Sequence, residues 1–367
     1  MAINKKMIKN FDFSILFNVL CICAIGIATI ASATGVFAGG SKRNFIMQIV
    51  WTIIGVILLL ITVFIDYSTF KAYYKVLYII NLGMLVAVSA LNKVTNGASS
   101  WFGIGSFGVQ PSEFMKITLI IVVAKKIEEF DGDINNIKNI GILLLYSIPP
   151  LILIYKEPDL GTTLIIIFII VGMVFMAGLD LRVFFGGIGV AIASIFAIFP
   201  FLETHQQDRI KVFLDPSLDP LGAAYHINQS MIAIGSGQLW GMGYGKGLQS
   251  EGKFLPEPHT DFIFSVLGEE FGFIGALILV LLYISFILKC FKVTKIAKDK
   301  FGEMLVTGIT AMFLFQAFEN IGMTIGLMPI TGITLPFVSY GGSSMLTSMV
   351  ATGLVLNVGM RRHKINF

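Results

Sequence analysis

Long apolar runs, separated by short polar segments, recur along almost the whole chain. A helix needs roughly 20 residues to cross about 30 Å of hydrocarbon, and most of these runs approach or exceed that length. The first run is longer than the roughly 7–15 apolar residues of a signal peptide, so we expect an uncleaved helix there. The pattern predicts ten transmembrane helices, at residues 12–34, 46–65, 73–91, 112–125, 139–155, 160–178, 183–202, 262–288, 303–326 and 340–360.

The composition supports a membrane protein. Of the 367 residues, 56% are hydrophobic and only 13% are charged, and the mean hydropathy of +0.85 lies far outside the usual soluble range. The predicted fold class is therefore all-α, with one polytopic domain over residues 1–367. The net charge is only +4, and the basic residues form short clusters between apolar runs, so no nucleic-acid partner is expected.

Lysine and arginine are unevenly divided between the two sides that ten helices define. With the N-terminus inside, seventeen of the 26 lie on the cytoplasmic side and eight on the outer side, while Lys116 falls within a span. Because cytoplasmic loops carry an excess of basic residues, both termini are predicted to be cytoplasmic. This orientation places the four conspicuous loops outside, at residues 92–111, 156–159, 203–261 and 327–339. Since loops carry function on a helical scaffold, we expect the chemistry at the outer face.

The longest loop, residues 203–261, lies between the seventh and eighth predicted helices. Within it, residues 223–234 have the pattern of a short amphipathic helix ended by Gly235. Such a helix can lie on the membrane surface.

Asp261 stands where this loop meets the eighth span, in a stretch rich in acid, imidazole and proline. If residues 261–272 are helical, Asp261 and Glu269 share a polar face that should line a cavity. The alternative is that Asp261 is an N-cap and that Glu269 and Glu270 favour the positive end of the helix dipole. Both interpretations stay open at this point. His259, two residues before Asp261, is the histidine of most interest.

Glu113 and Lys116 lie three residues apart at the outer start of the fourth span, so they can pair on one helical face. A buried lysine beside a glutamate could bind an anionic head group, or the two could form a purely structural ion pair. Trp101 could stack on a sugar or belong to the interfacial aromatic belt.

Three further segments carry polar groups near the same face. Glu157 and Asp159 open the sixth span, where they could cap the helix or contribute oxygen ligands to a divalent cation. Ser339 lies in a hydroxyl-rich segment before the last span, suited to close packing or to contact with a polar ligand. Glu319 and Asn320, inside the ninth span, should face protein or a cavity rather than lipid.

These blocks, in this order, resemble the SEDS family of bacterial membrane proteins (shape, elongation, division and sporulation). The resemblance covers nearly the whole chain and is carried by Gln110 to Lys116, Glu157 to Thr163, Asp215-Pro216, Asp219 to Gly222, Tyr225 to Ile227, Gln229-Ser230, Ala233 to Gly237, Leu255 to Phe264 and Pro336 to Ser344.

The resemblance implies ten transmembrane helices and a peptidoglycan glycosyltransferase that polymerises lipid II outside the bacterial cytoplasmic membrane. It also implies a class B penicillin-binding protein and membrane proteins of the elongation complex as partners. The family's essential acid falls on Asp261, its Glu-x-x-Lys motif on Glu113 and Lys116, and its basic residue before the second span on Arg43. Ser100, before Trp101, departs from the basic residue that many members carry there.

We therefore hypothesise that Asp261 is the general base that deprotonates the 4-hydroxyl of an acceptor GlcNAc, giving a β-1,4 linkage with inversion. A positioned base typically contributes about 10²–10⁴-fold, so the leaving pyrophosphate also needs its charge stabilised, by basic residues or by a divalent cation such as magnesium or manganese. No organic cofactor is expected. The candidate substrate-binding residues are Glu113, Lys116, Arg43, Trp101, Arg209, Glu157, Asp159, His259 and Ser339.

Two other functions are compatible with the sequence. A lipid II flippase would use polar groups within the membrane, such as Glu113, Lys116 and Glu319. Most ionisable groups nevertheless cluster at one face, which favours the enzyme. A non-catalytic scaffold of a cell-wall synthase is the third possibility, and the sequence does not separate an elongation role from a sporulation role.

Overall fold

The computed structural model describes residues 10–36, 40–91, 102–104, 107–157, 159–199, 207–208, 211–213, 215, 217, 219, 222–252 and 254–362. Its helices are α1 (Phe13–Ala33), α2 (Arg43–Phe64), α3 (Tyr67–Ala72), α4 (Tyr74–Leu91), α5 (Pro111–Glu129), α6 (Ile137–Lys156), α7 (Leu160–Met176), α8 (Leu181–Ile198), α9 (Ala223–Ser236), α10 (Leu248–Glu251), α11 (Ile263–Ile296), α12 (Lys300–Thr324) and α13 (Gly342–Met360).

The helices agree in position with the hydrophobic runs, because each of the ten predicted ranges overlaps one of them. Within the described part of the chain, six helices are long and apolar enough to cross a membrane, judged by length and composition: α1, α2, α6, α11, α12 and α13. The chain is thus a mostly helical, multi-pass membrane protein. The count of ten spans remains a prediction.

Helices α12 and α13 form the centre of the bundle, and most of their surface is buried. Helix α12 packs against α11, α7 and α5, while α13 packs mainly along α2. Small residues make this last contact possible. A Cβ on Gly353 of α13 would lie 2.9 Å from the Leu59 carbonyl oxygen of α2.

A short hairpin departs from the all-α prediction. Strands β1 (Phe102–Ile104) and β2 (Phe107–Val109) pair antiparallel, with Gly103 opposite Gly108. The hydroxyl of Ser343 on α13 donates to the Gly108 carbonyl at 3.2 Å and accepts from the Gln110 amide at 3.0 Å. The hairpin therefore fixes the start of α5 to the start of α13.

The amphipathic helix predicted in the long loop is present as α9, although it ends at Ser236 rather than before Gly235. Its buried face packs against α11. The hydroxyl groups of Ser230 on α9 and Ser265 on α11 lie 2.6 Å apart, and Ser230 also donates to the Thr324 carbonyl of α12 at 2.6 Å. The loop is thus anchored to two membrane helices.

Helix α11 is interrupted at Gly272, whose φ of 65° and ψ of −164° are not helical. Only glycine readily adopts this conformation. A Cβ here would also lie 2.4 Å from the Gly241 amide nitrogen, so the loop and the helix approach too closely for a side chain. The interruption separates a short helical segment after Asp261 from a long segment, residues 273–296, that is apolar as far as Leu288.

Candidate functional site

Asp261 lies in a short segment whose main-chain carbonyls accept hydrogen bonds from the segment before α13 and from α12. The Tyr340 amide donates to the His259 carbonyl at 2.8 Å, and the Ser339 hydroxyl donates to the Thr260 carbonyl at 2.6 Å. The side-chain amide of Asn320 donates to the Asp261 carbonyl at 3.0 Å. Three consecutive carbonyl groups are therefore fixed, which leaves the Asp261 carboxylate on a positioned backbone at the edge of the bundle.

The helical interpretation of residues 261–272 is wrong at its start, and so is the N-cap alternative for Asp261. Helix α11 begins at Ile263, and its N-cap position is Phe262. Glu269 is fully buried and accepts from the amides of Gln249 at 2.7 Å and Ser250 at 3.2 Å. It therefore caps α10 instead of sharing a cavity face with Asp261, because the loop folds back onto α11.

Glu113 and Lys116 form the predicted ion pair, with Lys116 Nζ 2.8 Å from Glu113 Oε1. Lys116 is fully buried and Glu113 is 6% exposed. A single turn of α5 thus carries a charge pair away from water. A buried pair of this kind requires further polar partners, since each ion loses its hydration.

Asp159 lies within electrostatic reach of this pair and also caps a helix. Its Oδ1 accepts from the Thr162 amide at 2.9 Å, which confirms the capping interpretation for Asp159, and its Oδ2 accepts from the Gln110 side chain at 3.1 Å. Burial raises the pKa of Asp159, and nearby Glu113 adds to this effect, while the Thr162 bonds and Lys116 oppose it.

Glu157, two residues earlier, is 2% exposed. Burial, assisted by the charge of Asp159, raises its pKa to about 7. Neutral and charged forms of Glu157 are therefore both populated near neutral pH.

Glu319 of α12 completes the group that we call the acid cluster, formed by Glu113, Lys116, Asp159 and Glu319. Its side chain interacts with the Thr331 hydroxyl and lies within electrostatic reach of Asp159 and Lys116. Its burial, at 1% exposure, agrees with the expectation that it faces protein. Its partners come from three separate segments of the chain, which no local spacing in the sequence indicates.

The segment Thr331–Ile333 connects the acid cluster to Asp261. A Cβ on Gly332 would lie 3.6 Å from Asp261 Oδ2, and the Asn320 amide that holds Asp261 also donates to the Ile333 carbonyl at 2.7 Å. On the other side, a Cβ on Gly161 would lie 2.9 Å from the Thr331 carbonyl oxygen. Asp261 and the start of α7 therefore pack against the same short segment.

The remaining candidates lie in different surroundings. Arg43 begins α2 and lies within electrostatic reach of Tyr340. Burial lowers the pKa of His259, which Glu257 partly offsets, and the His259 ring lies 5.6 Å from the Tyr340 ring. The Ser339 hydroxyl is already used, since it also accepts from the Leu335 amide at 2.8 Å.

Trp101 and Arg209 lie outside the described residues. A substrate contact stays a prediction for each candidate residue. Among the residues that the structure describes, no three His, Cys, Asp or Glu side chains are placed to hold a metal ion. The acid cluster, with one lysine among three carboxylates, does not offer a ready divalent-cation site, and the cation stays a prediction.

The chain is similar to known proteins over nearly its whole length. The family model for cell cycle proteins of the FtsW, RodA and SpoVE type matches residues 13–364. Peptidoglycan glycosyltransferase MrdB of Escherichia coli is 37% identical, over 97% of this chain and 95% of that protein. Peptidoglycan glycosyltransferase RodA of Treponema pallidum is 34% identical, over 97% of this chain and 99% of that protein.

The chain is also similar to one chain in a solved structure of a peptidoglycan synthase complex, which describes the structural coordination of polymerization and crosslinking. The match has a TM-score of 0.83 and 29% sequence identity, and it covers 96% of this chain and 99% of that one. Fold and site together define a polytopic helical membrane protein with buried carboxylates near one end of the bundle. The chain belongs to the FtsW, RodA and SpoVE family, which confirms the resemblance to the SEDS proteins.

Proposed function

We propose that the chain is a peptidoglycan glycosyltransferase that polymerises lipid II into β-1,4 glycan strands during cell elongation. The relatives named above as peptidoglycan glycosyltransferases match nearly the full length of this chain. The observation that carries the proposal is the fixed backbone at Asp261, because a general base must be held within reach of the proton it removes.

In the proposed reaction, the Asp261 carboxylate accepts the proton of the acceptor 4-hydroxyl as that oxygen attacks the anomeric carbon of the donor. The bond between that carbon and the pyrophosphate breaks, and the configuration inverts. Burial in the bundle leaves Lys116 paired with Glu113, whereas Arg43 lies by Tyr340, whose amide binds the His259 carbonyl. We therefore propose Arg43, ahead of Lys116, as the residue that stabilises the negative charge on the leaving pyrophosphate.

The proposal includes a membrane arrangement and partners. Ten spans with both termini in the cytoplasm would place Asp261 at the outer face of the cytoplasmic membrane, where the phosphates of lipid II lie. The basic-residue asymmetry supports this orientation. A class B penicillin-binding protein is the proposed partner, supported by the similarity to the chain from a synthase complex. Other elongation-complex membrane proteins are proposed with it.

Purified protein with lipid II tests the activity through gel analysis of the glycan product, with and without the partner and with and without magnesium or manganese. We expect Asp261→Asn to lower the polymerisation rate by about 10²–10⁴-fold, the usual contribution of a positioned base. The matched control is Glu257→Gln, because its side chain is 68% exposed, lies four residues away and carries the same charge change.

The outcomes separate the alternatives. Polymerisation by Asp261→Asn at the wild-type rate would rule out the base role. No polymer from the wild-type protein under any of these conditions would remove the enzyme proposal and leave the flippase or the scaffold.

A further inference from the structure

An exposed apolar patch surrounds the turn that follows α9. Trp240 is 79% exposed and Leu239 is 60% exposed, and Ile232 on α9 is 50% exposed. Large apolar side chains occur singly on many surfaces, but two neighbouring residues as exposed as Leu239 and Trp240 indicate that another molecule covers them.

The turn cannot withdraw these side chains, because its backbone is bonded to α11 on both sides of Gly272. The Met242 and Gly243 amides donate to the carbonyls of Glu269 and Glu270, at 2.9 and 3.1 Å. The Phe273 and Ile274 amides donate to the carbonyls of Gln238 and Leu239, at 2.8 and 3.2 Å. Trp240 therefore has a fixed height relative to α11.

That height coincides with the end of an apolar membrane segment. Residues 273–288 of α11 carry no charge and extend about 24 Å at roughly 1.5 Å per residue, which covers most of the hydrocarbon layer without the part before Gly272. Phe273 is 58% exposed and Leu277 is 41% exposed on the same helix. The apolar patch thus continues into the exposed apolar surface of α11, since the Phe273 amide is bonded to the turn.

We propose that Trp240 and Leu239 insert into the head-group and upper acyl region of the lipid leaflet on the Asp261 side of the membrane. Tryptophan is enriched at this depth because its ring is apolar while its indole N–H can stay hydrated. The inference rests on the membrane placement of α11 and not on the proposed polymerase activity. Lipid contact at this turn would hold the α9–α10 loop, through Glu269, at a constant distance from the membrane.

Tryptophan fluorescence in nanodiscs tests the proposal, since the chain has only three tryptophans, Trp51, Trp101 and Trp240. The emission of Trp240 is the difference between the wild-type protein and Trp240→Phe. We expect this emission to be blue-shifted relative to tryptophan in water. It should be quenched more strongly by lipids brominated near the head group than by lipids brominated near the methyl end of the chain.

Emission at the position of water-exposed tryptophan, quenched by acrylamide and insensitive to brominated lipids, would overturn the proposal. So would shielding that occurs only after the ectodomain of a class B penicillin-binding protein is added, or only when a nanodisc holds two copies. A second measurement covers poor folding of Trp240→Phe: a cysteine at position 239 (Leu239→Cys) should react with a polar maleimide in urea-unfolded protein but be protected in nanodiscs. Equal reaction in both would count against lipid insertion.

Discussion

The side-chain amide of Asn320 donates a 3.0 Å hydrogen bond to the main-chain carbonyl of Asp261. The same nitrogen donates at 2.7 Å to the carbonyl of Ile333. Asn320 is fully buried in α12, directly after Glu319 of the acid cluster. One side chain therefore joins the candidate catalytic residue, the segment beneath it and the central helix, which makes Asn320 a positioning residue for Asp261.

Replacing Asn320 with leucine, of similar size but without a donor, should release the Asp261 backbone. We expect kcat for lipid II polymerisation to fall by roughly ten- to a hundredfold, since displacement of a catalytic group by about 1 Å can cost that much. KM should change little, because the side chain is fully buried. Asn320→Gln, which keeps a donor, should recover part of the rate.

Thr307→Val is the matched control for Asn320. Thr307 is a buried polar residue of the same helix whose hydroxyl donates to the Glu303 carbonyl at 2.8 Å, and it lies between three and four turns from Asn320 toward the other end of the bundle. If both variants lost kcat equally, general destabilisation of α12 would explain the result and the positioning role would be wrong.

The local sequence pattern was sufficient to predict the positions of the long helices and the ion pair between Glu113 and Lys116 on α5. Apolar runs indicated the helix positions because a segment in lipid must be helical to satisfy its backbone hydrogen bonds, and it needs apolar side chains along its whole length. The three-residue spacing of Glu113 and Lys116 predicted their contact, because such residues are neighbours on any helix.

Contacts between distant segments were beyond the reach of that pattern. Glu269 has helical spacing from Asp261, yet it binds the amides of Gln249 and Ser250, because Gly272 lets the long loop fold against α11. The role of Asn320 likewise depends on a carbonyl 59 residues away. Positions of this kind follow from tertiary packing, so only the structure reveals them.

Breaking the buried pair on α5 should destabilise the protein more than breaking an exposed one. Lys116→Met leaves Glu113 buried without its cation, which costs roughly 3–5 kcal/mol in such sites. The double variant with Glu113→Gln should lose less than the sum of the two single variants. Chemical unfolding in detergent measures each free energy.

The matched control for Lys116 is Lys300→Met. Lys300 lies 3.2 Å from Glu303 with the same spacing, but the two side chains are 40% and 33% exposed. Its loss should cost less than about 1 kcal/mol. Equal losses at the two sites would show that burial does not determine the strength of the α5 pair.

Glu157 should make stability depend on pH. Burial and Asp159 raise its pKa in the folded protein from 4.5 to about 7, so the folded state binds this proton more tightly than the unfolded state. The stabilisation of the folded state that this proton provides is fully present below the unfolded pKa, and it is lost as pH rises through the folded pKa. The thermal midpoint of the wild type, relative to that of Glu157→Gln, should therefore fall between about pH 4.5 and 7.

A midpoint difference between the wild type and Glu157→Gln that stays constant over this range would mean that burial does not raise the pKa of Glu157 in the folded protein.

Alanine at Gly272 should disrupt the junction between the long loop and α11. The conformation, with φ of 65° and ψ of −164°, costs roughly 1–3 kcal/mol for other residues, and the new Cβ would lie 2.4 Å from the Gly241 nitrogen. Gly272→Ala should therefore lower the thermal midpoint in detergent and expose the loop to protease.

Gly83→Ala is the matched control, since Gly83 lies inside α4 with no atom within 4 Å of its Cβ position. Alanine there should leave the free energy of unfolding unchanged or raise it by up to about 1 kcal/mol. A Gly272→Ala protein as stable as Gly83→Ala would show that α11 runs straight through this position.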